Sequence, residues 1–442
     1  MRLSTKLLAG AALGALLASG AGTAADAKAA RHRQAAPRPA ATAADVSELR
    51  AEIQALKAQL AAQQEAQQQI QTQAREAQAA AETAQDQSRA LQAKADAEIQ
   101  TIPAQVQTAV AAAKPKPGWE ANTSVNGRMY YDLTNIEQKR DGAKVPATGS
   151  SFDIKRFYVG VDHRFNDVFS ANVTTDVAYL SADGLTQVYI KKAYLQAKVS
   201  DALTVRLGSA DLPWVPFAED VYGYRFVENT IADRDKFGTS ADWGAHALGK
   251  VGVFNYAVSV VNGAGYKNPT RSKGMDVEGR VSASMNGFTA GVGGYSGKLG
   301  KDVQGVATFH TANRFDAIAS YANPKFRLGV EYFAAENWNN VTTVLGDKSD
   351  GTSIFGNFNF TPQVSVFGRY DWVKPSRTLN PREKEGYFNI GVNYEPTKIV
   401  DFALVYKRDQ VDNGLLSTSN GAIGGTRKGT YDEVGLFGQF RW

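Results

Sequence analysis

The chain has 442 residues, no cysteine and a formal net charge of +5. Without cysteine there is no disulfide framework, no thiol nucleophile and no Cys-ligated metal site. The mean hydropathy is negative, and after the first twenty residues no apolar run reaches the roughly 18 residues that a membrane-spanning helix needs, which excludes a bundle of membrane helices.

The N-terminus has the layout of a secretory signal. Arg2 and Lys6 precede an apolar stretch from Leu7 to Leu17, and small residues follow up to Ala27. This order of a basic region, a short apolar region and small residues predicts a removed signal peptide over residues 1–27, so the protein leaves the cytoplasm. Residues 28–44 are rich in Ala, Arg and Pro, a composition typical of disorder.

Residues 45–113 carry a heptad pattern. Val46, Leu49, Ile53, Leu56 and Leu60 are spaced alternately by three and four residues, which places them on one helix face. The pattern predicts a periplasmic α-helical coiled coil. A lone solvated helix and a disordered Gln-rich tract are the alternatives. The prolines in residues 114–118 predict a short, stiff hinge.

From residue 119 to 442 the apolar residues alternate with a period of two. The pattern predicts about 16 antiparallel strands in an all-β transmembrane barrel. Short turns rich in Asn, Asp, Pro and Gly alternate with mostly longer polar connections, as expected when turns lie at one rim of a barrel and loops at the other. The predicted strands begin near Glu120, Ser151, Phe169, Thr186, Leu203, Ala241, Phe254, Met275, Phe288, Ala307, Lys325, Thr352, Val364, Gly386, Val400 and Tyr431.

One face of each predicted strand is apolar and the other is charged. In the last strand Val434, Leu436 and Phe440 share a face with the terminal Trp442, as in a closing strand that barrel-assembly machinery recognises. The opposite face of the strands carries more basic than acidic residues. A water-filled lumen tolerates such a face and a packed core does not, and the basic excess weakly favours anions. Strict alternation puts Lys191 and His163 on the lipid side. Two explanations are open: these residues lie near a membrane interface, or the register slips there.

The longest connection, residues 211–240, is too long for a simple rim loop. We expect it to fold into the lumen and narrow the pore; an external loop that packs at a subunit contact is the alternative. The candidate pore-lining and constriction residues are Arg128, Arg156, Lys192, Lys198, Arg206, Glu219, Asp220, Arg225, Lys236, Arg280, Arg327 and Arg369.

Signals for enzymes are poor. None of the four histidines has a serine two residues later, and the chain contains no HExxH, GxSxG or phosphate-loop motif. Asp162 and His163 are adjacent, but neighbours on a strand point to opposite faces and do not cooperate. The sequence therefore predicts no enzyme, no cofactor, no metal site and no nucleic-acid partner.

The chain resembles the phosphate-selective porin O and P family of Gram-negative outer membranes. The likeness rests on the overall layout and on Val205-Arg-Leu-Gly208, Asp211-Leu-Pro213 and Ala241-Asp-Trp-Gly244. The resemblance implies a trimeric porin with a folded-in third loop. We therefore expect an outer-membrane porin for passive diffusion of small hydrophilic solutes, mildly anion-preferring. A substrate-specific channel for phosphate, polyphosphate or a sugar, and a barrel that tethers the envelope, are the alternatives.

Overall fold

The computed structural model describes residues 43–112, 118–178 and 185–442. The predicted signal peptide and nearly all of the segment 28–44 that is predicted to be disordered lie outside these residues, as does the predicted hinge except for Gly118. The chain divides into two units, of which the first contains one long helix, α1, Ala43–Ala112. The helix begins two residues before the predicted bound at residue 45, and its last described residue is one before the predicted bound at residue 113. Among the described residues, no helix is both long and apolar enough to cross a membrane.

The second unit is a closed barrel of sixteen long antiparallel strands, as the sequence predicts. Each strand pairs with its neighbours in the chain, except for the two-residue strand β2, which sits beside the end of β1. The last strand, β17, pairs with β1 and closes the barrel. The strands are β1 Thr123–Arg140, β2 Ala143–Lys144, β3 Gly149–Arg164, β4 Phe169–Ala178, β5 Gln187–Ser200, β6 Leu203–Asp211, β7 Ala241–Val251, β8 Phe254–Val261, β9 Asp276–Met285, β10 Phe288–Gly297, β11 Ala312–Ala322, β12 Phe326–Glu336, β13 Lys348–Asn359, β14 Val364–Lys374, β15 Lys384–Thr397, β16 Val400–Thr418 and β17 Gly421–Arg441. Three short helices complete the unit: a 3₁₀ turn, Trp119–Asn122, and two in the longest connection, α2 Val215–Tyr222 and α3 Ile231–Arg234.

The tight turns have identifiable local causes. Asn166 accepts hydrogen bonds from the backbone N–H groups of Val168 and Phe169, at 2.9 and 2.8 Å. Asn323 makes the equivalent pair of bonds in its own turn, at 2.8 and 2.9 Å. Asn286 and Gly287 both have positive φ, at 54° and 84°, which suits a two-residue hairpin turn. These side chains and glycines fix the hairpin register at the short-turn rim of the barrel.

The two faces of the barrel wall are sorted as the alternation predicts. The outward face is apolar and exposed, for example at Leu207, Leu328, Ile390 and Leu436. The residues that alternate with them point inward and are polar. An apolar outside and a charged inside are the reverse of a soluble protein, and they match a barrel that faces lipid.

Two β-bulges turn consecutive basic residues into the lumen. Lys155 is the extra residue where β3 pairs with β1, and Lys191 is the extra residue where β5 pairs with β4. A bulge adds one residue to a strand and re-aims a side chain. Lys191 is therefore 9% exposed and lies among lumen residues, so strict alternation was wrong there and the slipped register explains it. His163 sits at the rim, 2.8 Å from the Thr123 hydroxyl.

The predicted strand bounds fail in two places. The tenth long strand begins at Ala312 rather than near Ala307, and the last begins at Gly421 rather than near Tyr431. The predicted connection 410–430 is mostly strand, because β16 and β17 continue as one long hairpin with its tip at Ser419 and Asn420. Both faces of that extension carry polar residues, so the sequence there shows no period of two.

Candidate functional site

The longest connection folds inside the barrel. We call residues 212–240 the inward loop. Its first helix, α2, begins beside Pro216 and ends at Gly223, which has a φ of 82°. One face of α2 buries Val215, Ala218 and Tyr222, while the other carries acidic residues. An amphipathic helix of this kind needs an apolar surface to pack on, and the wall supplies one.

The inward loop packs against inward-facing aromatic and aliphatic residues of the barrel wall, mostly on β11 to β17. Tyr224 stacks on Phe367 with 4.1 Å between ring centroids, and Tyr222 meets Phe355 edge-on at 5.4 Å. The shared core also includes Tyr130, Trp214, Val215, Ala218, Phe226, Val227, Ile318, Ala403, Val405 and Phe437. This core fills the lumen along β11 to β17, so the space left for solvent lies on the other side.

Basic side chains of the wall bind the backbone of the inward loop. Arg327 donates to the Tyr222 carbonyl at 2.9 Å, and Arg369 donates to the Asn229 carbonyl at 2.5 Å. The carbonyl of Val227 accepts from Lys407 at 2.9 Å and from Lys155 at 3.1 Å, and that of Phe237 accepts from Arg314 at 2.6 Å. A loop buried in a lumen must satisfy its backbone oxygens, and these long cationic side chains do so.

Arg234 of α3 is the most heavily paired cation of the loop. Its fully buried guanidinium bonds Asp409 at 2.8 Å, lies 3.3 Å from Asp371, and also pairs with Glu385 and the neighbouring Asp235. Burial raises the pKa of Asp235 well above its usual range, although Arg234 opposes the shift. Three of these four carboxylates belong to neighbouring strands: Asp371 to β14, Glu385 to β15 and Asp409 to β16. Arg234 therefore ties the inward loop to three strands.

The tip of the last hairpin closes over the same loop. The backbone N–H of Ser419 donates to the Arg234 carbonyl at 2.7 Å, and the Asn420 amide donates to the Glu228 carboxylate at 2.9 Å. Glu228 also lies 3.4 Å from the Lys407 ammonium. Burial disfavours the charge on Glu228, but Lys407 and Lys155 outweigh that effect and hold its pKa well below the usual range. The inward loop is therefore held both by the barrel wall and by the tip of the hairpin of β16 and β17.

A cavity of about 540 Å³ lies on the open side of α2. It is bounded by α2, by the inward faces of β1, β3, β4, β5 and β6, and by the end of β17, and its lining is mostly polar. Nine charged residues line it: Arg128, Asp162, Lys191, Lys192, Asp211, Glu219, Asp220, Arg225 and Arg441. The bulge in β5 supplies two of them side by side, Lys191 and Lys192.

Most charges in this cavity are already paired. Lys192 lies 3.2 Å from Asp211, and Arg225 pairs with Glu219. Arg441 lies 2.7 Å from Asp401. Asp162 accepts from the amides of Asn126 and Asn172, at 2.6 and 2.8 Å.

Of the four charges without an ion pair among the described residues, Asp162 accepts those two amide hydrogen bonds, and three others remain. Arg128 bonds only the Tyr130 hydroxyl, at 3.2 Å. Lys191 lies 3.4 Å from the Tyr158 hydroxyl and over the ring of the same tyrosine. Asp220, on α2, has no hydrogen bond or ion pair with a described residue, and burial raises the pKa of its carboxyl, with a further contribution from Glu219. These three groups are the ones that a passing solute meets unsatisfied.

Two further cavities lie toward the short-turn rim. One, of about 770 Å³, is lined by Lys198, Lys250 and Arg280, and the Arg280 guanidinium stacks 4.1 Å over the Phe217 ring of α2. The other, of about 250 Å³, is lined by Arg327, Arg441, Asp401, Glu395 and several amides. Basic side chains therefore continue beyond the constriction on the open side of α2.

The structure brings together only part of the predicted set. Arg128, Lys192, Glu219, Asp220 and Arg225 line the first cavity, and Lys198 and Arg280 line the second.

The other five lie elsewhere. Arg156 faces Asp176 at 3.7 Å, and Arg206 donates to Gln196 at 2.8 Å. Lys236 borders a cavity of about 230 Å³ among the long connections. Arg327 and Arg369 hold the inward loop, and Arg369 is 4% exposed.

Sequence reasoning missed three groups that matter here. Strict alternation places Lys191 on the lipid side, so the predicted set of pore-lining residues does not contain it. Arg234 and Glu228 lie in the loop that was singled out, but neither was expected to be buried among partners from several strands. The apolar stretch around Tyr224, Phe226 and Val227 is the signal that could have indicated a loop packed on the wall.

Comparisons with known proteins support the fold. No protein-family model and no curated protein sequence matches the chain. Among solved structures, the barrel is similar to the anion-selective porin of Comamonas acidovorans, at 13% identity and a TM-score of 0.54, covering 72% of this chain and 99% of that one. It is also similar to the outer-membrane channel DcaP of Acinetobacter baumannii, at 11% identity and a TM-score of 0.50, covering 72% and 97%. The chain therefore has the fold of outer-membrane porins and channels.

Proposed function

We propose that the protein is an outer-membrane porin through which small hydrophilic solutes diffuse passively, with a mild preference for anions. The observation that carries the proposal is the charged cavity of about 540 Å³ between α2 and the wall of β1 to β6. A passage lined by charges on both sides excludes apolar solutes and stays hydrated. Its mechanism needs no chemistry beyond filtering by width and charge.

The preference for anions rests on which charges are free. Five of the nine charged residues around the cavity are basic, and four are acidic. Of the four without an ion pair, Arg128 and Lys191 are cations on the wall, and Asp162 and Asp220 are acids, of which Asp162 already accepts two amide hydrogen bonds. A mobile anion gains from unpaired cations, while paired ones offer it little. The excess is small, so the expected selectivity is modest. The Comamonas porin, whose fold the barrel shares, is an anion-selective one, which agrees with this proposal.

The helix α1 supports assembly into a homo-oligomer, which we take to be a trimer. Its seam residues Ile53, Leu56 and Leu60 are 46, 64 and 57% exposed in the single chain. Exposed leucine and isoleucine at heptad spacing are buried when copies of the helix associate. We further propose that this coiled coil lies in the periplasm. Much of the seam is alanine, so the barrels must contribute to association.

The location follows from the outer surface and the closing strand. An exposed apolar band requires lipid, and barrels of this kind are the outer-membrane solution. Trp442 exchanges backbone hydrogen bonds with Gly127, at 3.1 and 3.2 Å, and so completes the closure. Barrel-assembly machinery that recognises an aromatic C-terminal strand fits this end of the chain. Relation to the phosphate-selective porin family stays part of the proposal.

The test is a planar-bilayer recording with the full chain, in a gradient of KCl. We expect stepwise current and a reversal potential of the sign for mild anion preference, with little block by phosphate. Block by micromolar phosphate would instead favour the substrate-specific channel. A protein that inserts but passes no current would overturn the porin and favour the envelope tether.

A further inference from the structure

Three charges of the cavity, which have neither an ion pair nor an amide partner among the described residues, form a pattern that small inorganic anions do not match. Two are cations on the wall, Arg128 of β1 and Lys191 of β5, and one is a carboxylate on α2, Asp220. The acid and the bases line the same cavity from opposite elements. A simple anion satisfies the bases and is repelled by Asp220. A simple cation has the opposite difficulty.

We infer that this constriction favours amphoteric solutes of the amino-acid class, whose ammonium group pairs with Asp220 while their carboxylates pair with Arg128 and Lys191. The inference rests on the proposed function, because it names the solutes of the same pore.

The neighbouring acids are poor candidates for the ammonium. Glu219 is taken by Arg225 and Asp211 by Lys192, so binding a solute there would break an existing ion pair. Asp162 already accepts two amide hydrogen bonds. Asp220 has none of these partners, although Arg128 and Arg280 are close enough to favour its charged form. Its carboxylate oxygens are therefore the ones open to a new donor.

The wall side offers matching anion sites. The guanidinium of Arg128 is exposed to the cavity and can bind a carboxylate through two parallel hydrogen bonds. The Lys191 ammonium is held in place by the ring and hydroxyl of Tyr158, so little side-chain entropy is lost when an anion binds it. A solute with two carboxylates and one ammonium, such as aspartate, carries one group of opposite charge for each of these three residues.

The test compares two solutes of similar size and equal net charge, aspartate and succinamate, at neutral pH. Succinamate carries one carboxylate and a neutral amide, and it has no ammonium. Reversal potentials under bi-ionic conditions give the permeability ratio of the two directly, whatever the number of inserted channels. We expect the wild-type protein to favour aspartate by roughly threefold, the ratio for one exposed ion pair of ordinary strength.

Two variants separate the site from general electrostatics. Asp220→Asn should bring the ratio to about one. Asp162→Asn removes the same charge from the same cavity and should leave the ratio unchanged. A wild-type ratio of one or below, or equal ratios in the wild type and Asp220→Asn, would overturn the inference. So would a loss of preference in Asp162→Asn as large as in Asp220→Asn. If KCl itself carries no current, the proposed function has failed as well.

Discussion

The two halves of the lumen use the same kinds of residue for opposite purposes. Along β11 to β16 many inward-facing charges are buried and bonded to the inward loop, as Arg369 is to the Asn229 carbonyl. Along β1 to β6 they border a cavity, as Arg128 does. The difference lies in whether the loop covers them. A count of basic residues on the lumen face therefore overestimates the number that a solute can meet.

We call the side of the lumen that the inward loop fills the packed half, and the side that keeps the cavity the open half. The largest loss of stability is expected from a substitution of Arg234 in the packed half. Arg234→Ala leaves Asp409, Glu385 and Asp371 buried without their shared cation, which costs about 3–5 kcal/mol. We expect a lower thermal midpoint in detergent and noisier single-channel current, because the inward loop comes loose. Arg377→Ala is the control: that side chain is half exposed and pairs with Asp350 at 2.8 Å, so its removal should cost no more than about 1 kcal/mol. Equal losses in the two variants would contradict the account.

A smaller break is available at the end of α2. Gly223 has a φ of 82°, and a Cβ placed there would lie 1.9 Å from an Arg327 nitrogen. Gly223→Ala is expected to destabilise by roughly 2 kcal/mol, from backbone strain and the loss of the bond between Arg327 and the Tyr222 carbonyl. Gly142→Ala has similar strain, at a φ of 92°, with open space around the added carbon. Its expected cost is roughly 1 kcal/mol in the same unfolding measurement, and a cost as high as that of Gly223→Ala would remove the role given to Arg327.

The packed half should also lose stability as pH rises from acidic to neutral values. Burial raises the pKa of Asp235, so the folded protein holds a proton that the unfolded chain has lost above about pH 4. Stability should therefore fall as pH rises above that value, until Asp235 itself ionises. Asp235→Asn removes this dependence and should raise the free energy of unfolding above that of the wild type at neutral pH. Thermal unfolding between about pH 4 and pH 9 measures it, and parallel curves for the two proteins would refute the assignment.

The smallest expected effect is a change in the ion selectivity of the open half. Arg128→Gln removes one of the two unpaired wall cations, so the reversal potential in a KCl gradient should move toward cation preference by a few millivolts. Arg408→Gln is the control, since this arginine lies outside the lumen and pairs with Asp432 at 2.7 Å. A shift of equal size in both variants would show that net charge, and not the constriction, sets the selectivity.

Much of the barrel could be predicted because its rules are local. Alternation and turn residues are properties of neighbouring positions, and they indicated the strand count and the alternation of turns and loops. The bulge at Lys191 could not be predicted, because it depends on the register against β4. The full length of the β16–β17 hairpin could not be predicted, because polar residues interrupt the apolar ones on both faces of its extension.

The site was predictable only in outline. The length of residues 211–240 suggested an inward loop, and five of the predicted residues do border one cavity. Which bases would instead hold the loop could not be read from the sequence. Arg327 and Arg369 occupy the same kind of alternating position as Arg128, and only the path of the loop separates them. That path is set by long-range packing of the aromatic residues around Tyr224.

The most direct test of the central claim uses the absence of cysteine in the chain. Asn126→Cys places a single thiol in the open half, and Ser353→Cys places one beneath the inward loop, where the serine is 1% exposed. We predict that a water-soluble, charged thiol reagent lowers the single-channel current of Asn126→Cys and leaves that of Ser353→Cys unchanged. Rapid modification and block of Ser353→Cys, with Asn126→Cys unaffected, would contradict the claim that solutes pass along β1 to β6.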